Sequence, residues 1–276
     1  MELISVIIPT YNRAEKLVQS VVSVLNQDYD NFEVIVVDDA GDDDTEERIR
    51  KLEDNRVRYI RLDENGGPSK ARNAGVSAAN GNIIAFHDSD DICHRNRLSI
   101  QYKYLKEHPE FNIVYSRYNI FLDGELSGTN PPMDTELIYL EGHIYQFLLQ
   151  QNFIGCPTVM MYKETFKRVD GFNEKMRCIE DWDFAVRVSK DNKIGFINEP
   201  TLDVNISSTG VSGNSKNYYD ARSKMIASQK DELERLGLLN KVLSDYLTIS
   251  EKSGYLEYAK LVLMRELMHT SGIGNI

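Results

Sequence analysis

Four short apolar runs, each leading into a segment of helical spacing or a polar turn, fill the first third of the chain. This alternation constrains the fold more than any other feature. Residues 3–8 form a β-branched run that stops at Pro9, which cannot donate to a sheet ladder. Leu17, Val18, Val21, Val22 and Leu25 then recur at helical spacing over residues 14–25. A second run covers 32–37, followed by a charged helix over 45–51 with Glu46 and Glu47 in its first turn. A third run, 57–62, leads to a Gly66-Gly67-Pro68 turn and a helix over 69–79, with Ser69 as its cap and Gly81 as its stop. The fourth run is 83–86. Strands and helices alternating at this spacing indicate βαβ units, hence an α/β fold around a mostly parallel sheet.

The second half is mixed. Helices are expected over 98–106 and 180–190, and strands over 113–121, 158–162 and 193–197. A loop rich in Gly, Pro and Asn is expected at 125–132, and a mobile loop at 207–217. Residues 219–276 read as helical throughout, which divides the chain into a domain at 1–218 and a helical extension at 219–276.

Charge narrows the function. Lys and Arg number 32 against 43 Asp and Glu, a net charge of −11. Residues 221–276 are close to neutral, so the acidic excess lies in residues 1–220. A nucleic-acid binder would need a basic stripe, and none is present. Cys93, Cys156 and Cys178 are widely spaced with no CxxC pair, which argues against a disulfide framework and for a reducing cytoplasm. The opening residues read as too short and unflanked for a signal peptide. No stretch approaches ~18 uninterrupted apolar residues. Peripheral association with the inner face of a membrane stays open, and the oligomeric state is not legible.

In an open parallel sheet, ligands bind beyond the carboxyl ends of the strands. Three of the four strands end there in polar residues: Thr10-Tyr11-Asn12-Arg13, Asp38-Asp39, and His87-Asp88-Ser89-Asp90-Asp91. Clustered acids repel one another unless a cation joins them. Hard oxygen ligands suit Mg²⁺ or Mn²⁺ bridging to substrate phosphates. His87 itself reads as a core or rim histidine rather than a ligand.

In order along the chain, five blocks resemble the family 2 glycosyltransferases. They are Ser5-Val6-Ile7-Ile8-Pro9-Thr10-Tyr11-Asn12-Arg13, Val36-Val37-Asp38-Asp39, the stretch from Asn65 to Gly75, Asp88-Ser89-Asp90-Asp91, and the pair Gly171-Phe172-Asn173-Glu174 with Glu180-Asp181-Trp182-Asp183. The resemblance covers residues 3–200. It implies a Rossmann-like GT-A fold, a nucleotide-sugar donor, and transfer with inversion to a saccharide or lipid-linked saccharide in bacterial cell-surface polysaccharide assembly. It also implies a donor half at 1–91 and an acceptor half at 92–218.

By the same resemblance Pro9, Thr10, Tyr11 and Arg13 line the nucleobase pocket, and Asp39 accepts the imide N–H of uracil, making the donor a UDP-sugar. Lys70 and Arg72 face the pyrophosphate, Asp88 and Ser89 the ribose or donor sugar, and Asp90 a divalent metal, Mn²⁺ or Mg²⁺. Asp181 matches the base, flanked by Glu180 and Trp182 on the acceptor side. A sugar hydroxyl is a poor nucleophile, so the chemistry needs such a base. At a helix N-terminus, Asp181 is expected to be held ionised, at some cost in basicity. Trp182 packs either against an acceptor sugar or into the core.

The family's histidine in the loop after the last strand has no counterpart in Val204-Asn205-Ile206-Ser207-Ser208-Thr209-Gly210. Rival readings fare worse. A haloacid-dehalogenase phosphatase places its Asp pair after the first strand, and a nucleotidyltransferase a Gly-rich loop there. A non-catalytic nucleotide-sugar or glycan binder of the same fold would have no use for Asp181.

Overall fold

The computed structural model describes residues 1–176, 178–206 and 216–270. The first half follows the expected order: β1 (Ile4–Thr10), α1 (Ala14–Leu25), β2 (Phe32–Asp38), α2 (Thr45–Arg50), β3 (Val57–Arg61), α3 (Pro68–Ala78) and β4 (Ile83–Phe86). The remainder comprises β5 (Ile92–Cys93), α4 (Arg97–Glu107), β6 (Ile113–Leu122), β7 (Glu125–Asn130), α5 (Tyr145–Leu148), β8 (Met160–Tyr162), α6 (Lys163–Arg168), α7 (Glu180–Asp191) and β9 (Gly195–Ile206). Four helices follow: α8 (Lys216–Ser228), α9 (Lys230–Arg235), α10 (Leu239–Lys252) and α11 (Leu256–Thr270).

The strands form one sheet in the order β3-β2-β1-β4-β8-β6-β9-β5, with β7 paired to β6. β1, β2, β3, β4, β6 and β9 run one way, while β5, β7 and β8 run against them. Every residue of β1 and β2 is buried, as expected of strands covered on both faces. Alternation splits their side chains. Ile4, Val6, Ile8, Val34 and Val36 pack under α1 and α4. Ile7, Ile35 and Val37 face α3 and α7, in a core that continues through Tyr219, Val242, Tyr246 and Ala259 of the last helices. The chain therefore has an α/β, GT-A-type architecture, with its C-terminal helices packed on the same core.

The structure departs from the expected elements in five places; the strand expected over 158–162 begins only at Met160, after a 3-10 turn at Cys156–Thr158. β1 runs through Pro9 instead of stopping there. Ile7 O accepts from His87 N, and Thr10 O from Asp39 N, so alternation turns Pro9 toward β4, whose pairing ends at Ile7–Phe86. No ladder bond is lost. The cap of α3 is Gly67, at φ 85°, with Pro68 in the first turn; the Ser69 hydroxyl is buried without a partner among the described residues. The expected loop at 125–132 is largely strand β7, joined to β6 through Asp123 (φ 49°) and Gly124 (φ 88°). Two consecutive left-handed residues make the tight hairpin turn that Asp-Gly favours. Finally, β9 extends to Ile206, and Lys216 and Asn217 already belong to α8; residues 207–215 of the expected mobile loop lie outside the described residues.

Candidate active site

The carboxyl ends of β1, β2 and β4 open onto a cleft of about 440 Å³. Of the residues singled out above, Pro9, Thr10, Tyr11, Arg13, Asp39, Arg72, Asp88, Ser89, Asp90 and Glu180 line it. They come from separate blocks of sequence brought together by the parallel sheet, as ligand sites in such sheets are.

Two guanidiniums organise the acids. Arg13 Nη1 bonds Asp90 Oδ2 at 2.7 Å across the mouth of the cleft. Deeper, Arg72 donates to Asp88 Oδ1 and to Glu180 Oε1, each at 2.9 Å. Arg72 is buried, so the two charge-assisted bonds are sheltered from water. Through it the end of β4 is joined to the start of α7, 108 residues away from Arg72 in the chain.

Asp39 is buried, with Oδ1 accepting from Gly66 N and Oδ2 from Gly67 N, both at 2.7 Å. The carboxylate thus holds the turn that starts α3, and each oxygen keeps a lone pair free for a ligand donor. Below the floor, Asp91 is buried. Desolvation, and then the charges of Asp88 and Asp90, push its carboxyl well above the carboxylate range. His87 is fully buried and neutral, driven down to about 3 by burial and by Arg97. Arg97 Nη1 lies 3.3 Å from His87 Nδ1 and Nη2 donates to Phe86 O at 2.7 Å, which makes His87 a core histidine.

Asp181 sits one residue behind Glu180, partly exposed, against Ile154, Cys156 and Phe184. Its Oδ1 accepts from Trp182 N at 2.8 Å and its Oδ2 from Asn152 Nδ2 at 3.2 Å. Burial, reinforced by the Glu180 charge, raises its carboxyl to about 6, against the pull of the Trp182 N–H and Arg72. The helix N-terminus was expected to lower it. The apolar wall outweighs that dipole, and the carboxylate is a stronger base than its position on a helix suggests.

Lys70 and Trp182 do not line the cleft. Lys70 Nζ bonds Glu64 Oε1 at 3.0 Å on the surface. Trp182 fills the core: its indole N–H donates to Leu148 O at 2.6 Å, and the Arg222 guanidinium lies 3.8 Å from the ring centroid.

Sequence reading missed Asn152 and Tyr118. The Tyr118 phenol is pushed up to about 12 by burial and by the fields of Asp181, Asp91 and Asp88, so it stays a neutral hydrogen-bonding group. Gly155 leaves room for it: a Cβ there would fall 2.7 Å from the Tyr118 ring. Neither residue sits in a motif, and only the small residue at 155 hinted at a close approach.

Comparison with known proteins bears on the family and the fold. An uncharacterized glycosyltransferase of Rickettsia bellii is 35% identical over 212 residues, 74% of this chain and 29% of that protein. The chain spans only about a third of the length of such Rickettsia relatives, 29–34%. The Escherichia coli UDP-Glc:alpha-D-GlcNAc-diphosphoundecaprenol beta-1,3-glucosyltransferase WfgD is 30% identical over 196 residues, 71% of this chain and 73% of that one. Among solved structures, S. aureus TarS 1-349 in complex with UDP superposes with a TM-score of 0.67 at 20% identity, covering 99% of this chain and 90% of that one. The mannosyltransferase PcManGT from Pyrobaculum calidifontis, in complex with GDP-Man and Mn2+, gives 0.63 at 19% identity, covering 99% and 76%. The sequence model described as Glycosyl transferase family 2 matches residues 5–169, and this chain belongs to that family.

Proposed function

We propose that the chain transfers a sugar, with inversion, from a UDP-sugar to a saccharide carried on a lipid diphosphate. The observation that carries this reading is the Arg72 bridge: it sets the donor motif at Asp88 beside the pair Glu180-Asp181. In this reading residues 1–91 hold the donor, residues 92–218 the acceptor, and the last helices support the acceptor side. Thr10, Tyr11 and Arg13 flank the nucleobase, Asp39 accepts the uracil imide N–H, and Asp88 and Ser89 meet the ribose or donor sugar. Asp181 takes the proton of the acceptor hydroxyl as its oxygen attacks C1 from the face opposite the diphosphate. Asn152 holds the receiving carboxylate in place. Trp182 supports α7 from the core, and Lys70 lends only its charge from the surface.

The acids also suit a divalent metal. Among the described residues no group of three or more His, Cys, Asp or Glu side chains could enclose an ion. Mg²⁺ and Mn²⁺ do not need one, because they take one or two carboxylates and fill their shell with phosphate and water. Asp90 is a quarter exposed at the mouth, and Asp91, raised first by burial, is raised further by the charges of Asp88 and Asp90. Asp90 would hold the ion, with Arg13 released toward the nucleotide. The bound ion would neutralise charge on the departing diphosphate. Asp90→Ala is expected to remove the Mn²⁺-dependent gain in UDP affinity without lowering the melting temperature. Equal UDP binding by variant and wild type in Mn²⁺ would reject the assignment.

Asp39 has a structural duty as well, so its test must be a ratio. Asp39→Ala loosens the Gly66-Gly67 turn for any nucleotide but removes an acceptor only from uracil. The preference for UDP over GDP should fall by about 1–3 kcal/mol, the cost of an unpaired buried donor. An unchanged ratio of dissociation constants would leave Asp39 holding the turn alone.

The whole reading is tested by offering a panel of UDP-sugars with a GlcNAc-diphospholipid acceptor and following the product by mass. Transfer from one UDP-sugar is expected. Turnover with GDP-sugars only would overturn the donor. Among the described residues no helix is long and apolar enough to cross a membrane; in this reading a lipid-linked acceptor is met at the inner face of the bilayer.

A further inference from the structure

A second cavity, of about 630 Å³, lies between residues 131–153 and α10, and is larger than the donor cleft. Pro131, Pro132, Leu140, Phe147, Phe153 and Ile249 make its walls. Those walls are held by hydrogen bonds. The buried Arg117 donates to the carbonyls of Pro131 and Pro132. Tyr115 Oη donates to Leu140 O at 2.9 Å, and Asn130 Nδ2 to Phe153 O at 3.1 Å. Lys241 Nζ on α10 reaches Gln150 Oε1 at 2.5 Å, tying the two sides together. A preformed cavity with apolar walls is the usual form of a ligand site.

Its position is informative. Phe153 follows Asn152, whose amide bonds Asp181 Oδ2 at 3.2 Å, so the cavity adjoins the acceptor side of the reaction centre. Thr135, Gln151, Asp245 and Thr248 also line the cavity, but most of its surface is apolar, and Gln150 and Lys241 are engaged with each other, which suits an apolar chain better than a glycan. Met133 and Ile138, next in the chain to the lining residues Pro132 and Tyr139, and Leu137 are 62%, 69% and 55% exposed, which puts apolar side chains at the lip. Asp134 and Glu136 stand among these residues and would repel an anionic headgroup layer, which favours a neutral chain lodged in the groove over adsorption of the lip.

We propose that this groove holds the first isoprene units of a polyprenyl-linked acceptor, with the saccharide at Asp181 and the diphosphate between them. This rests on the lipid-linked acceptor proposed above. It also gives the C-terminal helices a task, because α10 forms one wall.

The test uses the full chain, saturated with UDP and titrated with farnesyl phosphate below its micelle concentration. Wild type is expected to bind it, and Ile249→Glu to bind at least tenfold more weakly with UDP affinity unchanged. Ile249 is already half exposed, so the fold should tolerate the change. Should that variant fail to fold, Thr248→Trp, at an exposed neighbouring position, fills the groove instead. No binding by wild type, or equal binding by the folded variant, would overturn the proposal. The same holds if a lipid-free saccharide diphosphate is weakened as much as farnesyl phosphate, or if the variant only disrupts a dimer. If farnesyl phosphate binds as expected but no lipid-linked saccharide accepts sugar, the groove stands and the acceptor reading falls.

Discussion

Asp181→Asn should slow sugar transfer by on the order of 10²–10⁴-fold while leaving UDP affinity almost unchanged. The amide fills the same space and its oxygen can still accept from the Trp182 N–H, but its NH2 cannot accept from Asn152 and it cannot take a proton. Stability gives an independent readout, and its sign follows from the raised carboxyl. With a folded value of about 6 and an unfolded value near 3.9, ionising Asp181 costs the folded protein free energy. That cost is fully present above about pH 6 and disappears as the pH falls toward 4. The Asn variant should therefore melt no lower than wild type at pH 8, and any advantage should vanish by pH 4. For wild type, kcat/KM should fall below about pH 6 as the base is protonated. A folded Asn variant with near wild-type turnover would move the role to Glu180 or Asp183. A lower melting temperature at pH 8 would mean that Asp181 serves mainly to start α7.

Arg72→Met should have the largest effect on stability. Arg72 is almost fully enclosed, and without it the carboxylates of Asp88 and Glu180 face each other with no cation between them. Breaking a buried pair typically costs about 3–5 kcal/mol, and the partial exposure of Asp88 places this case near the lower end. A loss of about 3 kcal/mol corresponds to a fall in Tm of roughly 6–12 °C. Transfer should be lost with it, because the donor motif and α7 are no longer joined. Arg72→Lys should recover part of the stability, since one ammonium can meet one carboxylate but cannot span both as a planar fork does. The comparison is made by calorimetry and UDP titration on the three proteins. Equal melting of Arg72→Met and wild type would show that the bridge contributes nothing to the fold.

Both predictions act on residues whose positions could be read from the chain but whose relations could not. The blocks at Thr10, Asp39 and Asp88 were legible as one site because parallel strands deliver their carboxyl ends to the same edge. Lys70 shared a block with Arg72 and gave no hint that it would turn away to Glu64 while Arg72 turned inward. Trp182 was open between sugar and core, and burial against Arg222 decided it. The β7 hairpin carried a readable Asp-Gly turn, but its polar strand lacked the apolar alternation by which strands are recognised.

By itself the sequence determined the α/β order, the sheet edge at which its motif residues meet and the family, because periodicity, turn chemistry and local blocks depend on near neighbours in the chain. The tertiary structure alone decided the basicity of Asp181, the Arg72 bridge, the partners Asn152 and Tyr118, and the groove against α10. Each of these sums contacts and fields from segments tens to more than a hundred residues apart, as between Arg72 and Glu180. A carboxylate's pKa and a cavity's shape depend on distance through space, which the spacing of residues along the chain does not encode.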